Sequence, residues 1–415
     1  MMRVNFPAIM IVGWLSVLGQ VAAEEAAEEA KQDPRAEISP QNARVKMRGD
    51  FKRLRQRAES GQPTRVVTLG GSITEAAHGH SSQVPAWLKK KFPQANFQFT
   101  NAGISSTCST SGAFRLEGDV LAGGRVDLLI VEFAVNDDQD AAHSRDECIQ
   151  GMEGIVRHLR QKQPQADILM VQYVNPGMLA TLLKGEVPLT IAAHEAVAEH
   201  YGISSVNVAA EIAAAVKEGR YEWKDYGGTH PKPFGYQVAV NLIISALQRG
   251  MEGELEGSAE MKPYVLPEPL DQGNYEGGKF IDVQDAYWLG GWKYGKVGKA
   301  LLPVGAIRSR YEKYQVLRGD DPGTTLYLNF QGRSIGAFVL AGPDAGMVEV
   351  SVDGAPWQKK KLFHKHSKGL NYPRSVTFAT GLTSGRHQLV LRLIEDKVEG
   401  SKGHSASILY FEINE

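Results

Sequence analysis

From residue 64 to about 250, short β-branched runs alternate with longer helical patterns, and this alternation limits the possible fold more than any other feature of the chain. The runs RVVTLG (65–70), NFQFTN (96–101), DLLIVEF (127–133), DILMVQYV (167–174) and ISSVNV (203–208) are the candidate strands. They are apolar on both faces, the pattern of strands covered on both sides. Between them, AWLKKKF, GAFRLEGDVLA, DECIQGMEGIVRHLRQK and TIAAHEAVAEHY read as helices. Strand and helix in regular succession predict a parallel sheet with right-handed crossovers, hence a three-layer α/β domain over 45–252. Ligand sites in such sheets form beyond the carboxyl ends of the strands.

The pattern changes after about residue 255. KPYVLPEPLDQGNYEGG is rich in Pro and Gly and reads as a linker or the first loop of a second domain. TTLYLNF, SIGAFVLAG, MVEVSVDG, SVTFATGL, HQLVLRLI and ASILYFEI follow, divided by turn dipeptides such as Asp353-Gly354 and Ser384-Gly385. Short strands at this spacing, without convincing helical segments, predict a β-sandwich of jelly-roll kind over 262–415. A length of 415 residues with 42% hydrophobic composition suits two such domains.

Ahead of both, MMRVNFPAIMIVGWLSVLGQVAAEEA has the form of a signal peptide, residues 1–23. Arg3 gives the basic end, Phe6–Leu18 the apolar stretch, and Val21-Ala22-Ala23 the small residues before Glu24. The apolar run is shorter than the ~20 residues a membrane span requires. The expectation is a secreted or periplasmic protein with no stable membrane insertion after cleavage. Residues 24–44 read as a disordered leader. Lys+Arg and Asp+Glu nearly cancel, at 46 against 47, so no charge excess points to nucleic acid. Cys108 and Cys148 can pair in an oxidising compartment or stay as buried thiols, and sequence alone leaves both open. No Cys/His spacing resembles a metal site, and His78 and His80 read as polar loop residues. No cofactor is expected.

Three segments carry residues with catalytic chemistry. Ser72 follows the first strand in Leu69-Gly70-Gly71-Ser72-Ile73-Thr74, where two glycines permit a sharp bend that leaves a hydroxyl uncrowded. An ordinary N-cap serine also fits that position. Asn136 ends the third strand, where its amide can donate to an oxyanion or serve simple turn chemistry. His230, before Pro231 and an apolar helix, can deprotonate a serine near neutral pH, or it can be incidental. All three fall on the same predicted sheet edge.

In that order, GGSIT, AVND and THPKPFGY resemble the nucleophile, Gly-x-Asn-Asp and terminal His-Pro blocks of the SGNH (GDSL-like) hydrolases, and NAGISSTCSTSGAFRLEGDVL resembles their second block. The resemblance implies a flavodoxin-like α/β/α domain and a serine esterase. Ser72 would be nucleophile and His230 base, with an oxyanion hole from the Ser72 and Ser106 N–H groups and the Asn136 side chain. Two positions depart from the pattern. Ser106 stands where the family has its oxyanion glycine. Gly227 stands where the family has Asp, three before the His, which leaves either Asp225 to orient His230 or a Ser-His dyad.

An exported SGNH domain joined to a β-sandwich resembles bacterial carbohydrate O-acetylesterases, which implies an acetylated carbohydrate as partner. Tyr221, Trp223, Tyr226, Trp288 and Trp292 can stack on sugar rings or simply pack the core. Two rival readings remain: a non-catalytic carbohydrate-binding protein on a degenerate SGNH fold, and a lipase- or thioesterase-type SGNH hydrolase.

Overall fold

A computed structural model describes residues 33–38, 43–253 and 262–415. The signal-peptide segment 1–23 and most of the leader lie outside the described residues. The first sheet contains β1 (Val45–Lys46), β2 (Thr64–Gly70), β3 (Phe97–Gly103), β4 (Leu128–Glu132), β5 (Asp167–Gln172) and β6 (Ser204–Asn207), in the order β1-β6-β5-β4-β2-β3. β2 to β6 run parallel, and only the short edge strand β1 is antiparallel. Each expected strand is present.

The two-residue period of a strand explains why these runs are apolar throughout. Leu128 and Ile130 point into one core with Val66, Leu169, Val171 and the helix Pro233–Met251. Leu129 and Val131 point into the other with Val67, Leu69 and the helix Arg145–Lys162. The result is the three-layer α/β/α arrangement. Register then gathers the strand ends, because Gly70 of β2 stands opposite Gly103 of β3 and Glu132 of β4. Whatever follows those three residues shares one edge.

The second half folds as two antiparallel sheets. One runs β15 (Tyr372–Ala379), β12 (Ser334–Ala341), β17 (Ala406–Asn414), β10 (Gln315–Gly319), β9 (Trp292–Lys296), with β7 (Gly278–Asp282) also on β17. The other runs β14 (Gln358–Lys361), β13 (Met347–Val352), β16 (Arg386–Leu393), β11 (Thr325–Gln331), β8 (Tyr287–Trp288). Leu326, Leu328, Val348, Val350, Leu389 and Leu391 meet Ala337, Val339, Phe411 and Ile413 between the sheets, closing a β-sandwich.

The sandwich packs against the first domain rather than trailing from it. Ile104, just past β3, is buried among Phe338, Leu340, Leu409 and Tyr311 of the second domain. Ser111 and Ser375 hydroxyls lie 2.7 Å apart across the boundary. The Pro/Gly-rich connection is bound along the helix Arg145–Lys162, where buried Glu153 accepts from the Leu270 and Asp271 amides at 2.6 and 2.9 Å. Part of the expected leader is also bound. Ala36 is fully buried, and its carbonyl accepts from Asn241 at 2.8 Å. Among the described residues no helix is long and apolar enough to cross a membrane.

Candidate active site

Ser72 opens the short helix Ser72–Glu75 directly after β2. Both preceding glycines are required by close approach. A Cβ on Gly70 would come 2.4 Å from Glu132 Oε1, and one on Gly71 would come 2.0 Å from Asn136 Oδ1. Glu132, buried at the end of β4, accepts from Gly71 N at 3.1 Å and from Thr74 Oγ1 at 2.6 Å and so holds the turn. Burial pushes its carboxyl up to about 7, against the hydrogen bonds from Thr74 and Gly71. As the first residue of its helix, Ser72 has an N–H with no carbonyl one turn back.

His230 comes from the loop before the helix Pro233–Met251, and its Nε2 lies 2.8 Å from Ser72 Oγ. With the ring proton on Nδ1, the serine hydroxyl donates to Nε2, the orientation needed to move its proton to the imidazole. The loop turns through Gly227 (φ 117°) and Gly228 (φ 107°), and a Cβ on Gly227 would meet Lys232 N at 2.4 Å. No Asp can occupy position 227 in this backbone.

Asp225 does not take over that role in the structure. Its carboxylate accepts from Glu222 N at 2.9 Å, capping the short helix Trp223–Tyr226, and lies 3.5 Å from the guanidinium of Arg35. Among the described residues His230 has no carboxylate partner. The geometry brings together a serine and a histidine and leaves the acid elsewhere.

Asn136 is buried after β4, its side chain lying over Gly71. One of its two N–H bonds is committed to Asp140 Oδ2 at 2.6 Å, which leaves one. Ser106 adopts φ 73°, the left-handed conformation that favours glycine. Its loop is gripped from both domains. Glu75 accepts from Ser105 N at 2.8 Å, while Arg308 of the second domain donates to Ser105 O at 2.9 Å and Ser106 Oγ at 3.0 Å. Arg310 donates to Gly103 O at 3.1 Å and pairs with Glu75. Glu75, Arg308 and Arg310 carried no sequence signal, since about 200 residues separate the arginines from the loop they hold.

Of the aromatic residues, Tyr221, Tyr226 and Trp292 are core, while Trp223 and Trp288 are half-buried. His80 is buried and accepts or donates a hydrogen bond with Tyr173 Oη at 2.9 Å. Cys108 and Cys148 are both free, buried thiols.

Residues 68–238 match the profile of the GDSL-like lipase/acylhydrolase family, spanning Ser72, Ser106, Asn136 and His230. The match lies within the α/β domain. Over both domains the chain is similar in fold to a two-domain esterase (CEX) active on acetylated mannans, at 22% identity and TM-score 0.71, covering 89% of this chain and 96% of that one. The same esterase co-crystallised with mannopentaose superposes at TM-score 0.70 with the same coverage. This likeness establishes the shared architecture of a GDSL-like domain followed by a β-sandwich. No curated protein matches the chain by sequence.

Proposed function

We propose that this chain is an exported serine esterase that removes O-acetyl groups from a carbohydrate through an acyl-enzyme. The observation that carries the reading is the 2.8 Å contact of Ser72 Oγ with His230 Nε2 at the carboxyl edge of a GDSL-like sheet. Export follows from the signal-like segment 1–23 and comes from sequence alone. The carbohydrate assignment draws on the neighbour's activity on acetylated mannans and on the sandwich that borders the Ser106 loop.

In the first half-reaction, His230 Nε2 takes the Ser72 proton as Oγ bonds to the ester carbonyl carbon. The carbonyl oxygen becomes an anion facing the Ser72 and Ser106 N–H groups and the free N–H of Asn136. The carbon–oxygen bond to the sugar then breaks, and His230 returns the proton to the departing hydroxyl. Water repeats the sequence with His230 as base and releases acetate. His230 works here without a carboxylate at Nδ1, as a dyad.

Acetate release from acetylated mannan, acetylated xylan and p-nitrophenyl acetate tests the reading. The wild-type chain releases acetate and Ser72→Ala does not. Equal release by both removes the serine mechanism. Cleavage of p-nitrophenyl acetate alone removes the carbohydrate assignment and favours a lipase- or thioesterase-type substrate.

A further inference from the structure

Beside the proposed active site, four chemically reactive side chains meet around Asp137, the residue after Asn136. One ligand atom each from Cys108, Asp137 and His143 lie within 4.8 Å of one another, and the same holds for Asp137, Cys148 and His194. Sequence spacing hid this cluster, because the residues come from the loop after β3, the loop after β4 and two separate helices.

Asp137 is fully buried and held from two sides. Its Oδ1 accepts from Ser109 N and its Oδ2 lies by His194 Nε2, each at 2.8 Å. His143 Nδ1 is buried with no hydrogen-bond partner and lies 3.6 Å from Asp137 Oδ1. Nδ1 thus faces a thiol and a carboxylate at ion-pair distance without a hydrogen bond, an arrangement that a shared cation satisfies. Cys108 and His143 also line a cavity of ≈ 260 Å³ between the domains, together with Ser106, Asp140, Tyr372 and Arg374.

We propose that Cys108, His143 and Asp137 form a binding site for a zinc-type divalent cation, open to this cavity at its fourth position. The donor set is one that zinc takes up, a thiolate, an imidazole and a carboxylate. Bonds of about 2.0–2.3 Å in a tetrahedral site place donors roughly 3.3–3.8 Å apart, so a closure of about 1 Å completes the geometry. The imidazole–carboxylate pair already stands at that separation. His194 holds the far oxygen of Asp137, the outer partner that fixes a ligating carboxylate. Binding releases one proton from the Cys108–His143 pair to solvent, because the cation takes a thiolate and a neutral imidazole.

The cation would tie together two loops. Cys108 lies two residues after Ser106, and Asp137 follows Asn136, so one ion would brace both side donors of the proposed oxyanion hole. The inference rests on the cluster and holds whether or not the chain is an acetylesterase.

The test uses the purified full chain, reduced and equilibrated with Zn²⁺ or Co²⁺. Elemental analysis is expected to give about one zinc per chain after gel filtration. The Co²⁺ form is expected to show thiolate-to-cobalt charge-transfer absorption, lost in Cys108→Ser and in His143→Ala. Excess zinc is expected to raise Tm by roughly 5 °C at about 100-fold over Kd. Because the wild-type cobalt spectrum needs no variant, misfolding of either mutant leaves the test intact. Retention of well under one zinc, or a cobalt spectrum without thiolate absorption, overturns the proposal. A mass deficit of two hydrogens in chain isolated without reductant shows a Cys108–Cys148 disulfide and overturns it as well.

Discussion

Asp225 gives the sharpest prediction about how His230 works. Where a serine–histidine pair depends on a carboxylate, replacing that acid by its amide costs ~10⁴-fold in kcat. Here the Asp225 carboxylate serves Glu222 N and Arg35, and Gly227 blocks the position nearer the histidine. Asp225→Asn is therefore expected to change kcat on p-nitrophenyl acetate by less than about threefold. The residue does contribute to folding. Asp225→Ala removes a capping acceptor worth ~1 kcal/mol, which lowers the Tm of an α/β domain of this size by roughly 2–4 °C. The exposed Arg35 contact adds little. Both effects are read from initial rates and thermal unfolding of the same preparations. A loss of 10³-fold or more in Asp225→Asn, with Tm unchanged, would refute the dyad and require a loop rearrangement that brings the acid to His230.

Three further outcomes follow from the same geometry. Asn136→Ala is expected to lower kcat by about 100- to 1000-fold with little change in KM, since one oxyanion donor is lost; activity within tenfold of wild type would remove Asn136 from the hole. Arg308→Ala frees the Ser105–Ser106 loop from the second domain and is expected to reduce kcat roughly 10- to 100-fold, because small misplacements of a donor are costly. Unchanged kcat would show that the sandwich does not support the site. The third outcome concerns pH. Burial raises Glu132 to about 7, Asp167 to about 7 and Glu412 to about 8. The folded chain thus keeps protons that the unfolded chain releases above its ordinary carboxyl range. The contribution of these three groups is full at about pH 4 and falls as pH rises toward 7–8, by at most ~1.4 kcal/mol per pH unit for each group. Glu132→Gln, which keeps the oxygen that accepts from Gly71 and Thr74, is expected to flatten the Tm–pH curve between pH 5 and 7. An unchanged slope would show that Glu132 ionises normally.

What could be read from sequence followed from local periodicity and from chain order. Runs such as DLLIVEF showed both their strand character and their double burial, and the parallel register then placed Ser72 and Asn136 on one edge. Residues whose roles are set by tertiary contact were not legible. The left-handed φ at Gly227 explains why no acid stands there, but the composition of the loop does not display it. Asp225, three residues after Glu222, fits a capping box as readily as a triad, and only the structure shows which partner it takes. Arg308 reaches the Ser106 loop from the far domain. The Cys108–Asp137–His143 cluster combines residues from two loops with no metal-like spacing. Ala36 and Ile38 lie within the expected leader yet pack on the core that includes the helix Pro233–Met251, a contact that the acidic composition of 24–44 does not display.

The central claim is that Ser72 is a nucleophile activated by His230, and covalent trapping tests it most directly. The chain is treated with an aryl fluorophosphonate and measured by intact mass and peptide mapping. The account predicts a single adduct on Ser72, formed at least 100-fold more slowly in His230→Ala and absent in Ser72→Ala. Labelling on another residue, or no labelling of a chain that still releases acetate, would contradict it.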